Sequence, residues 1–390
     1  LVTRVLGQGE DIRVIDLDIA RRNFQAFQRY FDFADVHVAV KAVSEPHIFG
    51  MLVDAGAKFE IATLGEMTMC QEQGVSADRL LCSHPAKDRF EIERFVQAEV
   101  KLFVSDNLMD LRLMAKCAPG ARVLIRIQAH RSEAHHATLL DQAGFDSRFG
   151  IAVEDAQTLI AEAVNLGLKP VGLALHVGVQ QHEPQAWSYA IAMAAKVFSG
   201  VAASGGNMEI LDLGGGFPAA FHPGIPRLEV YAQTIRQALH GAFGSALPKI
   251  VLEPGRSIGA MAGITIGRVV NIKPGPHDPD IRVLTLFTGR FSACLFGIGM
   301  GVSFLRPDAR NTELNRVTGD FELKAHLYGK VLSEADQPTM ASGQANAVTV
   351  PDTLEVDDLV VFTGTGAYTG ELFTHMCSKS VPHTIVFDQF

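Results

Sequence analysis

The sequence of 390 residues predicts an α/β fold, a (β/α)8 TIM-like barrel joined to a C-terminal β domain. Two observations lead to this prediction: eight short apolar, β-branched segments recur, and helix-compatible sequence fills most gaps between them. Near-continuous apolar strands that alternate with helices are typical of a parallel sheet covered on both faces. The eight segments are residues 36–40, 58–62, 79–83, 100–105, 122–127, 171–177, 209–213 and 250–253.

Between these strands, apolar residues recur at three- and four-residue spacing. This spacing predicts helices over residues 48–55, 64–73, 90–98 and 155–166. Eight strand–helix repeats over roughly 230 residues fit a closed barrel. A doubly wound sheet is the alternative, because the same alternation of strands and helices builds both folds.

The character of the sequence changes near residue 262, where helical periodicity fades and Gly, Pro and Thr become frequent. Strand-like runs follow, which predicts a β-sandwich or β-barrel domain. The segment at residues 13–17 is also strand-like, and we expect this N-terminal strand to complete the same domain. The predicted organisation is therefore a barrel over residues 18–261 and a β domain formed by residues 1–17 plus 262–390.

Composition excludes several classes of function. The chain is 47% hydrophobic and 20% charged, with a net charge of -9, which indicates a large core and argues against a nucleic-acid partner. The most apolar stretch, residues 291–305, is shorter than the about 20 residues of a membrane span, so we expect no membrane partner. Five cysteines without a CxxC pair predict no metal site and a reducing, cytoplasmic location.

Polar residues follow several predicted strands, where barrel enzymes carry their catalytic groups. Lys41 ends the first strand. A partly desolvated lysine there would have a lowered pKa and suit a Schiff base, and a surface lysine just past a strand is the alternative. His176 ends the sixth strand, as a site residue or as a core histidine.

Two further motifs end the seventh and eighth strands. The run Gly214, Gly215 and Gly216 offers backbone amides to a phosphate, or forms a tight turn that needs positive φ. Glu253 ends the eighth strand and needs a partner at that depth. The partner is either Arg256 or Arg126 in a salt bridge, or the cationic nitrogen of a pyridine ring. Together these groups predict a pyridoxal 5′-phosphate (PLP) site.

In order along the chain, these residues resemble the ornithine/diaminopimelate decarboxylase family, the fold-type III PLP decarboxylases with an alanine-racemase-like barrel. The resemblance covers nearly the whole chain. It implies PLP as the cofactor, an amino acid as the substrate, and a homodimer with shared active sites. The matching segments are residues 38–42, 59–66, 147–150, 176–180, 212–218, 253–256 and 366–369.

The resemblance also implies roles for single residues. Lys41 would bind the cofactor covalently, Glu253 would keep the pyridine nitrogen protonated, and His176 would stack on the ring. The remaining cofactor-binding positions that it implies are Glu60, Arg126, Gly214, Gly215, Gly216, Gly255, Arg256 and Tyr368.

One segment departs from the family's pattern. The family carries Tyr-Gly-Pro-Thr/Ser-Cys-Asp, whose cysteine returns a proton to carbon and whose aspartate binds a distal amino group. Here Leu332 and Ser333 stand at these two positions of the substrate pocket, and Glu334, one residue on, is the alternative counter-charge if the loop is shifted. An unpaired ammonium is costly to bury, so we expect a substrate without a distal amine. Cys377 is the predicted replacement proton donor, and weaker candidates are Cys294, His130, His135 and His136.

The sequence therefore predicts PLP-dependent decarboxylation of an amino acid that is not a free basic diamino acid. A conjugated intermediate of a specialised biosynthetic pathway fits this description. A racemase or a decarboxylating transaminase is the alternative that keeps PLP. An alternative of another class is a catalytically silent relative that binds a protein partner.

Overall fold

The computed structural model places the chain in a barrel and a β sheet. It describes residues 11–128, 148–293, 300–308, 310, 313–331, 333, 335–338, 340–341, 344–345, 347–369, 373, 377 and 381–389.

Eight parallel strands form the closed barrel that the sequence predicts, each strand hydrogen-bonded to the next and the last to the first. A strand before the barrel, β1 (Ile12–Asp16), belongs to the other sheet. The barrel strands are β2 (Ala34–Ala39), β3 (Lys58–Ile61), β4 (Leu80–Cys82), β5 (Leu102–Ser105), β6 (Arg122–Arg126), β7 (Lys169–Ala174), β8 (Ile210–Asp212) and β9 (Lys249–Leu252).

Helices lie between the barrel strands, and their first residues explain where several of them begin. Thr63 and Glu66 form a capping box at one helix, and Asp88 and Glu91 form another, which satisfies amides that the helix itself leaves open. The main helices are Leu17–Tyr30, Pro46–Asp54, Leu64–Glu72, Arg89–Gln97, Leu108–Cys117, Ala156–Asn165, Gln185–Ala203 and Leu228–Phe243. Short helices are Val40–Val43, Arg256–Gly259 and Arg290–Ala293.

The helix Gln185–Ala203 is the one helix in the described part of the chain that is long and apolar enough to cross a membrane. It carries Trp187, Ala190 and Ile191 on a buried face that packs into the barrel's core. A barrel helix passes the same test of length and composition, so this is weak evidence for a membrane span.

Among the described residues, the second sheet has nine strands with mixed directions. Strand β1 pairs antiparallel with β10 (Gly263–Pro274) and parallel with β19 (His383–Phe387), so the N-terminal strand joins the C-terminal sheet. The fold class predicted from the sequence is thereby confirmed. The other strands are β11 (Ile281–Leu286), β12 (Gly301–Pro307), β13 (Leu314–Arg316), β14 (Glu322–Gly329), β17 (Val348–Pro351) and β18 (Leu359–Thr363), with β15 (Met340–Ala341) and β16 (Gln344–Ala345) as a separate pair.

An aromatic cluster packs beneath the loop after β8. Phe217 stacks on Trp187 at 4.6 Å and meets Phe27 and Phe31 edge-on at 5.2 and 5.4 Å. All four side chains are buried, and such aromatic pairs add to the free energy gained from area burial alone. Phe217 directly follows Gly216, so this cluster fixes the glycine loop, residues 214–216, from below.

A buried ion pair joins the segment after β4 to the helix Leu108–Cys117 that follows β5. Lys87 Nζ lies 3.0 Å from Asp110 Oδ2 and also donates to the carbonyl oxygens of Val104 and His84 at 2.7 and 3.0 Å. The two side chains are 1% and 4% exposed. Because Lys87 also bonds to the carbonyl oxygen of Val104, the pair fixes this helix and β5 to the segment after β4.

Removing one partner of this pair should destabilise the barrel strongly. We expect Lys87→Ala to lower the free energy of unfolding by about 3–5 kcal/mol, because Asp110 would remain buried without a cation. Urea denaturation followed by circular dichroism measures this loss.

Arg122→Ala is the matched control, because Arg122 at the start of β6 pairs with Glu209, just before β8, while both side chains are exposed. It should cost about 1 kcal/mol or less. A similar loss in both variants would contradict the assigned importance of burial.

Candidate active site

The C-terminal ends of the strands gather the predicted site residues at one rim of the barrel. Lys41 lies in the short helix that directly follows β2, and Glu60 lies on β3. Arg126 ends β6, and His176 and Glu253 follow β7 and β9 closely. Because the strands are parallel, these ends face the same opening.

Lys41 and Glu60 form an ion pair between neighbouring strands. Lys41 Nζ contacts Glu60 Oε2, and the other carboxylate oxygen, Oε1, accepts a hydrogen bond of 2.6 Å from the Ser83 hydroxyl. Glu60 is 1% exposed, whereas the lysine side chain remains 45% exposed at the opening. Burial favours the neutral acid, but Lys41, Ser83 and Arg126 outweigh it and hold the pKa of Glu60 below its ordinary value.

The pKa of Lys41 moves in the direction opposite to the sequence-based expectation. Desolvation lowers it, as expected, but the charges of Glu60, Tyr368 and Glu253 outweigh desolvation and raise the pKa above its ordinary value. The expectation of a lowered pKa was therefore wrong for the protein without its cofactor. The sequence shows the lysine but not how many carboxylates surround it.

Asp212 and Glu253 form an acidic pair at the ends of β8 and β9. Burial raises the pKa of Asp212 to about 6, although the Gly214 amide donates a hydrogen bond of 2.8 Å to Oδ1, which by itself lowers the pKa. Burial also raises the pKa of Glu253 well above its ordinary value, and the nearby charges of Asp212 and Glu60 add to the shift. We call Glu60, Asp212 and Glu253 the acid cluster.

Oxygen Oε1 of Glu253 is buried and has no hydrogen-bond partner among the described residues. Neither Arg126 nor Arg256 therefore pairs with this oxygen, whereas the Glu253 side chain forms a hydrogen bond with Asp212. A buried carboxylate oxygen without a partner is costly. It suits a donor that arrives with a ligand, such as the protonated nitrogen of a pyridine ring.

The glycine loop needs its glycines for two physical reasons. Gly214 and Gly216 have φ values of +64° and +93°, which side chains rarely adopt. A Cβ on Gly214 would also collide with the carbonyl oxygen of Leu175, and one on Gly215 would lie 2.6 Å from that of Glu253. The tight-turn explanation from the sequence is thus correct for this loop.

The same loop leaves amides for an anion. Within the described part of the chain, the amides of Gly215 and Gly216 donate no backbone hydrogen bond. Open consecutive amides in a turn form a concave anion site. The loop therefore fits a phosphate, and the turn geometry and phosphate binding are compatible explanations.

Arg256 and Tyr368 stand beside this loop, at the junction of barrel and sheet. The Arg256 guanidinium lies 4.7 Å from the centre of the Tyr368 ring, and the arginine is 7% exposed with its Nε unpaired. The Tyr368 hydroxyl lies 3.5 Å from the position of a Cβ on Gly255, so the missing side chain there lets the tyrosine approach. A buried cation with an open donor suits a phosphate.

His176 and Arg126 are held by their surroundings. The Gly178 amide donates a hydrogen bond of 3.0 Å to His176 Nδ1, which fixes the imidazole ring. The Arg126 guanidinium lies 5.1 Å from the centre of Phe149, within the field of the acid cluster. Both residues thus stand at the rim, as the sequence predicts.

The predicted substrate residues are described only in part. Leu332 and Glu334 lie outside the described residues, as do Cys294, His130, His135 and His136. Ser333 forms a turn, because its hydroxyl accepts from the Ala335 amide at 3.3 Å. Cys377 is exposed and has a φ of +57°, and its proposed part in proton transfer stays a prediction.

Two residues of the site carried no clear signal in the sequence. Ser83 follows a three-residue strand and contacts Glu60 across 23 positions of sequence. Asp212 opens the segment 212–218 that resembles the family, and nothing in the sequence marks it as an acid with a raised pKa. Their partners lie on other strands, so only the adjacency of strands in the barrel reveals both interactions.

The barrel rim thus combines a lysine, an anion site and a carboxyl group that could pair with a cationic ring. This combination is typical of an enzyme that binds a phosphorylated pyridine cofactor. Comparison with known proteins identifies the class. The family model of pyridoxal-dependent decarboxylases, pyridoxal binding domain, matches residues 17–260. Because this match covers more than half of the chain, the chain belongs to the PLP-dependent amino-acid decarboxylases, and its cofactor is PLP.

Individual relatives agree with this membership. The lysine/ornithine decarboxylase of Selenomonas ruminantium is 30% identical over 285 residues, 73% of this chain and 70% of the relative. Antizyme inhibitor 2 of Xenopus laevis is 30% identical over 267 residues, 68% of this chain and 57% of the relative. The crystal structure of SrLDC in complex with PLP and cadaverine superposes with a TM-score of 0.81 at 25% identity, covering 99% and 93% of the two chains.

The residues present fit this cofactor. The unpaired Glu253 Oε1 suits its ring nitrogen, and the open amides of the glycine loop with Arg256 suit its phosphate. When bound, PLP accepts into its ring the electrons left by a bond broken at the substrate's α-carbon.

The raised pKa of Asp212 gives the cofactor-free protein a defined pH dependence. An aspartate titrates near about 3.9 when unfolded, so the folded protein binds this proton more tightly and loses stability as pH rises from about 4 through 6. We expect Asp212→Asn to reduce the loss of unfolding free energy between pH 5 and pH 7, as measured by urea denaturation. Asp320→Asn, at an exposed position, should leave the loss unchanged, and equal slopes in all three proteins would contradict the assignment.

The glycine loop should not tolerate a side chain. We expect Gly214→Ala to weaken PLP binding about tenfold or more, because Cβ would displace the loop from the Leu175 carbonyl. Gly74→Ala is the matched control, with a φ of +73° but open space around its Cβ, and should cost only about 1 kcal/mol of stability. Titration of cofactor-free protein with PLP, followed by absorbance, measures both affinities.

Proposed function

We propose that this enzyme decarboxylates an α-amino acid that lacks a distal amino group, such as a conjugated intermediate of a specialised biosynthetic pathway. The observation that carries the proposal is the loop at residues 329–336. In the family that the chain resembles, this loop supplies the counter-charge for a substrate ammonium. In this protein, the acidic residue that the structure describes in this loop, Asp336, bonds to the loop's own backbone instead.

That acid is Asp336, which is fully buried. Its Oδ1 accepts from the Phe291 amide and its Oδ2 from the Val331 amide, each at 3.1 Å. Its backbone carbonyl also accepts from the Gly329 amide at 2.6 Å. Asp336 therefore holds the loop in shape, and both of its carboxylate oxygens already have donors.

The other described residues of the loop offer no negative charge. Lys330 is a cation, and the Ser333 hydroxyl accepts from an amide within the turn. A substrate ammonium placed against this loop would meet no free carboxylate among its described residues. Burying such a charge without a partner is unfavourable, so the loop disfavours ornithine and lysine.

We assign the reaction to the residues at the barrel rim. Lys41 would bind the cofactor through Nζ, and His176, whose Nδ1 accepts from the Gly178 amide, would pack against its ring. Glu253 would keep the ring nitrogen protonated, and the glycine loop, Arg256 and Tyr368 would hold the phosphate. Cys377, whose thiol is exposed, is the proposed donor of the proton that replaces CO2.

We also propose a cytoplasmic homodimer that shares its active sites. The proposal rests on the resemblance to the family and on the reducing environment that five cysteines without a CxxC pair suggest. Light scattering of the purified protein measures its mass against the 42.1 kDa of one chain.

The match to antizyme inhibitor 2 favours a second candidate, a protein that acts by binding another protein. Asp212 and Glu253 argue against it, because buried carboxyl groups with raised pKa values destabilise a fold that has no use for them. A pure binding module would gain stability by replacing them.

A substrate panel tests the proposal. PLP-loaded protein is incubated with ornithine, lysine, diaminopimelate, and neutral or conjugated amino acids, and CO2 and products are measured by mass spectrometry. We expect CO2 and an amine from a substrate without a distal amine, and at least tenfold lower turnover of the three basic amino acids.

The other outcomes separate the alternatives. Efficient turnover of ornithine or lysine, the substrates that the Selenomonas relative's name gives, would contradict the proposed specificity. An aldehyde product would indicate decarboxylating transamination, and an inverted enantiomer would indicate a racemase. If PLP binds and no compound changes, the binding-protein candidate gains support.

A further inference from the structure

Ser83 determines that the two carboxylate oxygens of Glu60 bind different partners. Its hydroxyl donates a hydrogen bond of 2.6 Å to Oε1, which leaves Oε2 for Lys41 Nζ. The Ser83 backbone is itself fixed, because its amide donates 3.1 Å to the Ile61 carbonyl oxygen on the neighbouring strand. Ser83 is 7% exposed, so water does not compete freely for its hydroxyl.

This arrangement restricts a carboxylate that would otherwise rotate. Among the described residues, Lys41 and Ser83 are the hydrogen-bond partners of Glu60. A hydroxyl that donates to a carboxylate stabilises its ionised form and fixes its plane. An ionised carboxylate in that orientation favours a cation at the position of Nζ.

We propose that Ser83 is a positioning residue for Lys41, acting through Glu60. Its hydroxyl keeps Glu60 ionised and turned toward Nζ, so that Lys41 is held as an ammonium whenever it is not bonded to the cofactor. The inference rests on the proposed role of Lys41 in binding PLP, but not on the identity of the substrate. In this proposal Ser83 does not contact the cofactor or the substrate, and it acts only by orienting Glu60.

Other charged groups face this pair, and none replaces the Ser83 hydrogen bond. Tyr368 and Glu253 act on Lys41, and Arg126 acts on Glu60, through charge at a distance. The field of Glu60 also reaches Glu66, Asp212 and His37. All of these groups stay in place in a Ser83 variant, so the effect of the hydroxyl can be measured alone.

The test measures how readily Lys41 reacts in cofactor-free protein. Trace acetic anhydride labels neutral amines, and mass spectrometry compares Lys41 with the exposed Lys101 in the same sample at pH 9. We expect Ser83→Ala to label Lys41 about fivefold faster or more, because one pKa unit changes the neutral fraction about tenfold. Ser83→Thr keeps the hydroxyl and should restore slow labelling.

Two further proteins separate positioning from a general structural role. Ser105→Ala removes a buried hydroxyl at the end of β5, away from Glu60, and should leave Lys41 labelling unchanged. In a Glu60→Gln background, Ser83→Ala should add nothing further, because the two changes act on one interaction. Thermal unfolding of each variant shows that it remains folded.

Wild-type labelling in Ser83→Ala, or an undiminished effect of Ser83→Ala in the Glu60→Gln background, would overturn the inference. The labelling requires neither PLP nor substrate. A failed substrate panel therefore leaves this result intact, and a failed labelling test leaves the proposed specificity intact.

Discussion

Three buried carboxyl groups at one end of the barrel are the constraint on which the site depends. Of the acid cluster, Glu60 contacts a cation, whereas Asp212 and Glu253 have raised pKa values and Glu253 keeps one oxygen unpaired. Burial favours the neutral form of these two carboxyl groups, and a cation placed beside them would favour the ionised form. A protonated pyridine ring such as that of PLP would be such a cation.

The barrel concentrates these groups through strand adjacency. Strand β8 pairs with β9 so that Asp212 lies opposite Val251, two residues before Glu253. The Gly214 amide donates to Asp212 Oδ1, and the Gly214 carbonyl oxygen accepts from the backbone amide of Glu253. The glycine loop then packs against the carbonyls of Leu175 and Glu253, with Phe217 fixed below it by the aromatic cluster. The anion site and the acidic pair are therefore built by the same few residues, and a change in one displaces the other.

The residues at the cofactor end of the barrel and those of the loop at residues 329–336 differ in how closely they keep the family's sequence pattern. The residues that fit PLP follow the family's pattern, whereas the loop carries Ser333 where the family has an aspartate, and Asp336 holds the loop together. Under the proposed function, the same cofactor chemistry would act on a different substrate side chain.

The sequence by itself determined the eight strands, the C-terminal sheet and the polar residues at the strand ends. Parallel strands buried on both faces leave apolar runs, and their ends must meet at one rim. Only the tertiary structure decided that Ser83 bonds to Glu60, that Lys41 has a raised rather than a lowered pKa, and that Asp336 is fully buried. These properties depend on distances between residues far apart in sequence, which no local pattern encodes.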